Sequence, residues 1–407
     1  MDARHPSPSS PVFSATRGRE GRNGAGIATP SPWPGVAAAL AASLVGIGLA
    51  RFAYTPLLPV LVEAGWFEAG DAAWLGAANL AGYLAGALRA RGLAATRPPA
   101  TALRAMMALA TLAFVACAWP LSFAWFFAWR FLAGFAGGAL MVLAASTVVP
   151  RVAPARRGVA AGAVFTGVGL GIAASGTCVP LLLEFGLRET WLGLGAIAAA
   201  LTAAAWFAWP ADAPPIATPR ARLPRVPGLS RLTVQYGLNA AGLVPHMVFL
   251  SDYVARGLER GTAAGAGIWV MFGLGAIAGA LLSGLAADRF GFARAIRAGF
   301  IIQFAAVPLA LAGDAGLYVS AVVVGAFVPG VVPLVLGRVH ELAAPEARTT
   351  AWGRATAGFA LGQAAMAAAL SWLYGATGTH VWLFAAGAAA LLLALLLDLV
   401  PGLRHRA

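Results

Sequence analysis

Two arginines, Arg51 and Arg130, lie within long apolar stretches of this sequence. A guanidinium group is always charged, and it binds a carboxylate or a phosphate through two parallel hydrogen bonds. Because an ionisable group inside a membrane is costly, its presence in an apolar stretch indicates a functional site. These two arginines are therefore the first candidates for contact with a small charged solute.

The two arginines differ in predicted depth. Counting about 1.5 Å per helical residue from Gly35 places Arg51 roughly 24 Å into its stretch, in the outer half of a bilayer. There it is either a cavity residue that contacts substrate or an interfacial anchor that reaches the outer surface. The same count from Pro120 places Arg130 roughly 15 Å deep, near the midplane. It either couples substrate or proton movement or binds a carbonyl group of a facing helix.

A histidine and several uncharged polar residues extend the candidate set. His246 could carry a coupled proton, because imidazole titrates near neutral pH, and a hydrogen bond to a neighbouring helix is the alternative. The other candidates for substrate contact have helix-to-helix hydrogen bonding as their alternative role. They are Tyr54, Asn79, Tyr83, Tyr236, Asn239, Gln303 and Gln363.

Acidic residues are absent from the middle of every apolar stretch, and Asp252, Glu184 and Asp398 stand only at predicted ends. A cavity between these stretches should therefore carry net positive charge. Such a cavity favours an anionic solute. We expect an organic anion as the small-molecule partner, with Arg51 as its principal contact.

The elements that must position these residues are twelve apolar stretches. About 20 residues of α-helix span a hydrocarbon core of about 30 Å, and a chain with 60% hydrophobic and 11% charged residues cannot hide them all in one soluble domain. The lipid bilayer is therefore an expected partner. The predicted stretches are 35–58, 72–88, 100–119, 121–149, 158–183, 190–209, 232–252, 263–285, 295–313, 316–337, 350–375 and 380–399.

The arginines predict the orientation of the chain. The sequence contains no lysine, and its 28 basic residues fall mostly in every second connection and in both terminal segments. Basic loops stay in the cytoplasm during insertion, so both termini and the central linker should be cytoplasmic, in a bacterial inner membrane. Because the arginines are dispersed through loops, we expect no nucleic-acid partner despite the net charge of +13.

The two halves of the chain repeat each other. Arg157 and Gly162 recur as Arg348 and Gly353, a displacement of 191, and other matches have displacements up to 194. Parallel repeats around a central site are common in transporters. The predicted organisation is a disordered cytoplasmic tail (1–33), an N-terminal six-helix half (34–209), a cytoplasmic linker (210–230), a C-terminal six-helix half (231–399) and a cytoplasmic tail (400–407).

Several motifs resemble those of the major facilitator superfamily. The segment 284–291 (GLAADRFG) is similar to its cytoplasmic loop signature, which implies a gating role for Asp288 and Arg289. The first-half copy at 88–92 lacks the acidic residue. Arg130, four residues before Gly134, resembles the fourth-helix signature that proton-coupled members use for coupling. The segment 46–59 (GIGLARFAYTPLLP) resembles the first helix of the YbfB/YjiJ family of bacterial permeases.

The resemblance implies an all-α integral membrane protein of twelve transmembrane helices in two halves. The implied function is secondary active transport of a small solute by alternating access, driven by a solute or proton gradient. Proton-coupled efflux of drug-like or metabolite compounds is the alternative, and a polytopic membrane enzyme or a sensor is a further one. No metal-ligand spacing or cluster of catalytic residue types appears, so we expect no enzyme activity and no cofactor.

Overall fold

The computed structural model describes residue 2 and residues 31–153, 156–210, 226–344 and 347–399. These residues form twelve helical segments and no strand. We number them α1 (Trp33–Glu63), α2 (Ala69–Thr96), α3 (Pro99–Cys117), α4 (Phe123–Arg151), α5 (Arg157–Leu183), α6 (Leu187–Ala205), α7 (229–257), α8 (Gly261–Phe290), α9 (Phe292–Leu309), α10 (Gly313–Leu342), α11 (Arg348–Thr377) and α12 (Val381–Leu399). The predicted tails and most of the predicted linker lie outside the described residues.

Each predicted apolar stretch coincides with one of these helices. Nine of the helices in the described part of the chain are long and apolar enough to cross a membrane. The three others are α2, α6 and α7, and α7 carries Gln235, Asn239, His246 and Asp252 along its length. These polar residues lower the hydropathy of α7 below that of a simple lipid-facing helix. Twelve crossings therefore remain a prediction.

Glycines bring helices into close contact at equivalent places in the two halves. A Cβ atom on Gly86 of α2 would overlap the carbonyl oxygen of Phe135 in α4. A Cβ atom on Gly279 of α8 would overlap the carbonyl oxygen of Ala326 in α10 in the same way. The two contacts are related by displacements of 193 and 191 residues, as the predicted duplication requires. Small residues at such crossings allow membrane helices to pack through their backbones.

The first helix of each half is irregular near its middle. In α1, a π-helical segment, Leu44–Leu49, is followed by a turn at 50–53 before regular helix resumes at Tyr54. In α7, π-helical segments occupy Pro245–Phe249 and Tyr253–Gly257. Such breaks free backbone groups and are frequent at functional sites, particularly where paired repeats of a transporter meet.

The two halves contact each other at and beyond these breaks, on the predicted outer side. Thr55 donates to the carbonyl of Met247 over 2.5 Å. Ser371 of α11 donates to the carbonyl of Ala73 in α2 over 3.0 Å. These bonds tie the outer ends of the halves together and place the breaks of α1 and α7 side by side.

Candidate functional site

Arg51 lies in the turn that interrupts α1 and points into the protein, where it is only 9% exposed. Its Nη2 atom donates to Oε1 of Gln363 in α11, over 2.9 Å. The guanidinium carbon lies 5.0 Å from the ring centroid of Phe52 and 5.0 Å from that of Tyr83. Arg51 therefore bridges the two halves. This geometry differs from that of an interfacial anchor, which would extend its charge to the surface.

Gln363 holds Arg51 in place from the opposite half. Its carbonyl oxygen accepts from Arg51, and its Nε2 atom lies 3.6 Å from the sulfur of Met247 in α7. A neutral amide satisfies only part of the hydrogen-bonding capacity of a guanidinium group, which has five N–H donors. Arg51 consequently retains donors for a further acceptor.

Arg130 is buried in α4, with 2% of its surface exposed. Its Nη1 atom donates to the carbonyl of Ala50 over 2.8 Å, at the break in α1. Its guanidinium carbon lies 4.3 Å from the centroid of the Tyr54 ring. The Nε atom of Arg130 is buried without a hydrogen-bond partner. The helix-carbonyl bond predicted as one alternative is present, and a donor remains unsatisfied beside it.

Asn79 and Tyr54 complete this part of the site. The Nδ2 atom of Asn79 donates to the backbone carbonyl of Arg130 over 3.1 Å, while its Oδ1 atom is buried without a partner. The hydroxyl of Tyr54 donates to the carbonyl of Ala72 over 2.6 Å. These bonds fix the positions of α1, α2 and α4 around the two arginines.

The two arginines line a common cavity, which we call the two-arginine cavity. It is a narrow space between α1, α2, α4 and α7, of about 260 Å³ when the solvent at its opening is included. A neighbouring aromatic cavity, of about 390 Å³ by the same measure, shares Arg51 and Met247 with it. Among the described lining residues of both cavities there is no Asp or Glu. The aromatic cavity has four rings in its wall, those of Phe52, Tyr83, Phe165 and Phe359.

Four of the predicted substrate contacts lie elsewhere, within the C-terminal half. His246 bonds to Ser320 of α10 over 2.7 Å, and its Nδ1 atom has no partner. Asn239 donates to Gln303 of α9 over 2.7 Å. Tyr236 packs behind the aromatic cavity, with its ring centroid 4.5 Å from that of Phe359. All four connect neighbouring helices, and their role in binding stays a prediction.

The predicted gating residues lie at the C-terminal end of α8, away from the two cavities. Arg289 is exposed there, with its guanidinium carbon 5.7 Å from the ring centroid of Phe290. The side chain of Asp288 is outside the described part of the structure. The predicted charge pair of this loop therefore remains a prediction.

Sequence reasoning missed the aromatic wall and a buried acidic network. Phe359 and Gln363 are four residues apart on α11, and this spacing could have indicated that they share a face. Asp252, expected at the end of an apolar stretch, is 0% exposed, because α7 continues to residue 257. The carboxylate of Asp252 accepts hydrogen bonds from Arg256 (2.5 and 2.7 Å) and lies 2.8 Å from Nε2 of His380.

We find no set of metal ligands in the part of the chain that the structure describes. No group of three or more His, Cys, Asp or Glu residues is arranged there to hold an ion. The two cavities themselves present guanidinium donors and aromatic surfaces to a ligand.

Comparisons with known proteins agree with this architecture. The model of a family described as "Uncharacterised MFS-type transporter YbfB" matches residues 43–399. The crystal structure of the human organic anion transporter MFSD10 (TETRAN) aligns with a TM-score of 0.68, over 91% of this chain and 100% of that chain, at 17% sequence identity. The TM-score shows a shared fold, and at this low identity it shows the fold alone. No curated protein matches the sequence.

Proposed function

This chain belongs to the YbfB-type family of major facilitator superfamily transporters, and from that premise we propose that it moves an organic anion by alternating access. It is a multi-pass membrane protein and a secondary transporter. Since family and fold are those of transporters, it should carry its substrate without altering it. The proposed location is a bacterial inner membrane with both termini in the cytoplasm, supported by the arginine-rich connections.

The observation that carries the anion proposal is the two-arginine cavity. Arg51 and Arg130 bring two positive charges to one buried space, and no carboxylate among the described lining residues neutralises them. Arg130 has an unsatisfied buried donor, and the described partners of Arg51, which are Gln363, the sulfur of Met247 and two aromatic rings, are all uncharged. Charge-assisted hydrogen bonds are roughly twice as strong as neutral ones, so a carboxylate would bind here in preference to a neutral solute.

The aromatic cavity indicates the rest of the ligand. Apart from Arg51 and Gln363, its described wall consists of aromatic and aliphatic side chains and methionines. Small-molecule sites are commonly apolar with a few polar groups that fix orientation. We therefore propose a substrate with a flat apolar body in the aromatic cavity and an anionic group directed at Arg51 and Arg130.

Ligand binding could couple to movement of the halves through Arg51. Its bond to Gln363 joins α1 to α11 across the interface. A substrate carboxylate that accepts from Arg51 would compete with Gln363 for the same donors, which loosens one tie between the halves. Alternating access requires such ties to form and break around a central site.

The structural neighbour is described as an organic anion transporter. That description agrees with the proposed cargo, although at 17% identity the inference depends on the cavity of this chain. Among the described residues that line the two cavities there is no Asp, Glu or His, and proton coupling stays a prediction.

The proposal that the substrate is an anion can be tested with ligands that differ only in charge. Purified protein is titrated with aromatic carboxylates and with their primary amides, while its thermal unfolding is followed. We expect the carboxylates, but not the amides, to raise the unfolding temperature, since a ligand that binds the folded state stabilises it. In Arg51→Gln the affinity for carboxylates should fall at least about tenfold, or about 1.4 kcal/mol.

The matched control is Arg97→Gln, because Arg97 is exposed between α2 and α3 and lines neither cavity. Its ligand response should equal that of the wild type. Stabilisation by neutral or cationic compounds alone, or equal carboxylate binding by Arg51→Gln, would contradict the anion proposal. Uptake of the same carboxylates into sealed proteoliposomes, without chemical change, then separates a transporter from an enzyme.

A further inference from the structure

A second polar cavity lies at the predicted cytoplasmic end of the C-terminal half. It is surrounded by α7, α9, α10 and α12, and about 1030 Å³ of space not filled by atoms lies in it and at its mouth. We call it the C-half cup. Its polar lining residues are Arg231, Gln235, Arg297, Arg338 and Asp398, and Gly228, which directly precedes α7, also lines it.

Positive charge is in excess in the C-half cup. Three arginines line it, against one carboxylate, Asp398, among the described lining residues. Asp398 forms an ion pair with Arg297 and lies 3.7 Å from a terminal nitrogen of Arg231. Arg338 donates to Glu341 over 2.6 Å, and both of these side chains are partly exposed at the rim. Arg338 thus has a carboxylate partner of its own at the rim, whereas Arg231 and Arg297 share Asp398, which leaves one positive charge in excess.

Arg231 provides a donor that the protein does not use. Its side chain is 14% exposed, and its Nε atom is buried without a hydrogen-bond partner. Arg231 also stands in the first turn of α7, which begins at Leu229 after Gly228. The amino end of a helix carries a partial positive charge that attracts anions. The helix end and the three guanidinium groups therefore favour the same kind of ligand.

This charge cluster is a feature of the C-terminal half. Arg297 is the sixth residue of α9, as Arg104 is of α3, but Arg104 is used internally and donates to the carbonyl of Trp206 over 2.7 Å. Displacements of 191 to 194 lead from Arg231 and Arg338 to residues 37–40 and 144–147, which include no arginine. Duplication of a six-helix unit alone does not account for three arginines here.

We propose that the C-half cup binds a phosphate-bearing anion at the predicted cytoplasmic face. Arginine matches the geometry of phosphate oxygens and binds them bidentately. The phosphate group comes from an anionic phospholipid headgroup or from a soluble phosphate, and the chemistry of recognition is the same. The site is separate from the two cavities at Arg51, since no residue lines both.

The test uses the purified full-length protein, freed of lipid as far as its stability allows, and three probes. These are phosphatidylglycerol, zwitterionic phosphatidylcholine and inorganic phosphate, each titrated while thermal unfolding is followed. We expect phosphatidylglycerol or inorganic phosphate to raise the unfolding temperature and phosphatidylcholine to have a smaller effect. The double variant Arg231→Gln/Arg338→Gln should bind the active probe at least about tenfold more weakly.

Arg97→Gln serves as the control, because it removes one exposed arginine of the same predicted face that does not line the cup. An effect of phosphatidylglycerol alone assigns the lipid as the source, and an effect of inorganic phosphate assigns a soluble one. If neither probe stabilises the wild type, or if the double variant responds like the control, the proposal is overturned. If the double variant does not fold, the single variant Arg338→Gln replaces it, because the side chain of Arg338 is partly exposed at the rim. Its binding of the active probe is then compared with that of the control.

Discussion

Three buried charged residues are stabilised in three different ways. Arg51 is bonded to a side-chain amide, which a ligand can replace. Arg130 is bonded to a backbone carbonyl at a helix break, which gives it a structural role beside any role in binding. Asp252 is surrounded by Arg256, Tyr374 and His380, so its charge is fully paired inside the protein. Arg51 is therefore the residue whose partner is easiest to exchange.

The Asp252 network should make a large contribution to stability. Removing one member of a buried charge pair typically costs about 3–5 kcal/mol. Because Arg256 is partly exposed, we expect Asp252→Asn to destabilise the protein by a smaller amount, roughly 2–4 kcal/mol. The measurement is the thermal unfolding midpoint of the purified protein in detergent.

Asp314→Asn is the matched control for this substitution. Asp314 pairs with Arg260 at the same predicted face, but both side chains are exposed to solvent. Solvent screening leaves such pairs with little effect on stability. An Asp252→Asn protein that unfolds at the same temperature as Asp314→Asn would show that the buried network does not stabilise the fold.

At the scale of helices, glycine positions determine which faces meet. α2 packs on α4, and α8 packs on α10, through glycines that leave no room for a methyl group against the facing carbonyl. This contact fixes the rotation of each helix about its axis. It therefore also decides that Tyr83 of α2 faces Arg51 while Asn79 faces Arg130.

Gly86→Ala should consequently destabilise the protein. Its Cβ atom would overlap the carbonyl oxygen of Phe135, and the two backbones must separate to admit it. Overpacking commonly costs about 1–3 kcal/mol, and more where backbone must move. The comparison is Gly92→Ala in the same helix, where a Cβ atom meets nothing within 4 Å.

Gly92→Ala should be neutral or stabilising by about 0.5–1 kcal/mol, because alanine is the better residue in a helix interior. Unfolding midpoints of the two variants, measured in the same detergent, give the difference. Equal midpoints would show that α2 and α4 do not pack through the carbonyl contact described here.

For the whole molecule, four side-chain hydrogen bonds between the halves lie at Arg51 or on its predicted outer side, the first of them the Arg51–Gln363 bond. They include those of Thr55 and Ser371 to backbone carbonyls, and a bond of 3.0 Å between Trp269 and Ser175. The structure therefore represents a state that is closed on this side. In an alternating-access cycle this closure must open once in each turnover.

A disulfide across the closed side should stop the cycle. A Cβ atom on Gly70 of α2 would lie 3.8 Å from the Cα atom of Gly375 in α11, which is compatible with disulfide formation. In a background with Cys117 and Cys178 replaced by alanine, Gly70→Cys/Gly375→Cys should lose transport on oxidation and recover it on reduction. The measurement is uptake of an identified substrate into proteoliposomes.

The single variants Gly70→Cys and Gly375→Cys in the same background are the controls. Neither should respond to oxidant, because one thiol alone cannot form the bridge. If the oxidised double variant, with its disulfide confirmed by mass spectrometry, transports at the undiminished rate, the outer side does not open during transport.

Much of the architecture followed from the sequence by itself. Apolar runs, arginine-rich connections and the displacement of 191 to 194 are local or periodic features, and they predicted a duplicated helical membrane protein. The motifs at 46–59, 130–134 and 284–291 carried the resemblance to the superfamily. The apolar runs also indicated Arg51 and Arg130, because a charge in an apolar run is conspicuous in any linear sequence. The family match and the shared fold confirm the helical membrane fold and the superfamily, while the duplication and the roles of the two arginines stay predictions.

The tertiary structure decided which polar residues meet. Arg51 and Gln363 are 312 positions apart, and only the packing of the halves brings them to 2.9 Å. The same packing turns His246 and Asn239 toward their own half. Helices rich in alanine and glycine have no single apolar face, so their sequence leaves rotation about the helix axis open. Close contacts at glycines, summed over the whole bundle, fix that rotation and with it the composition of the site.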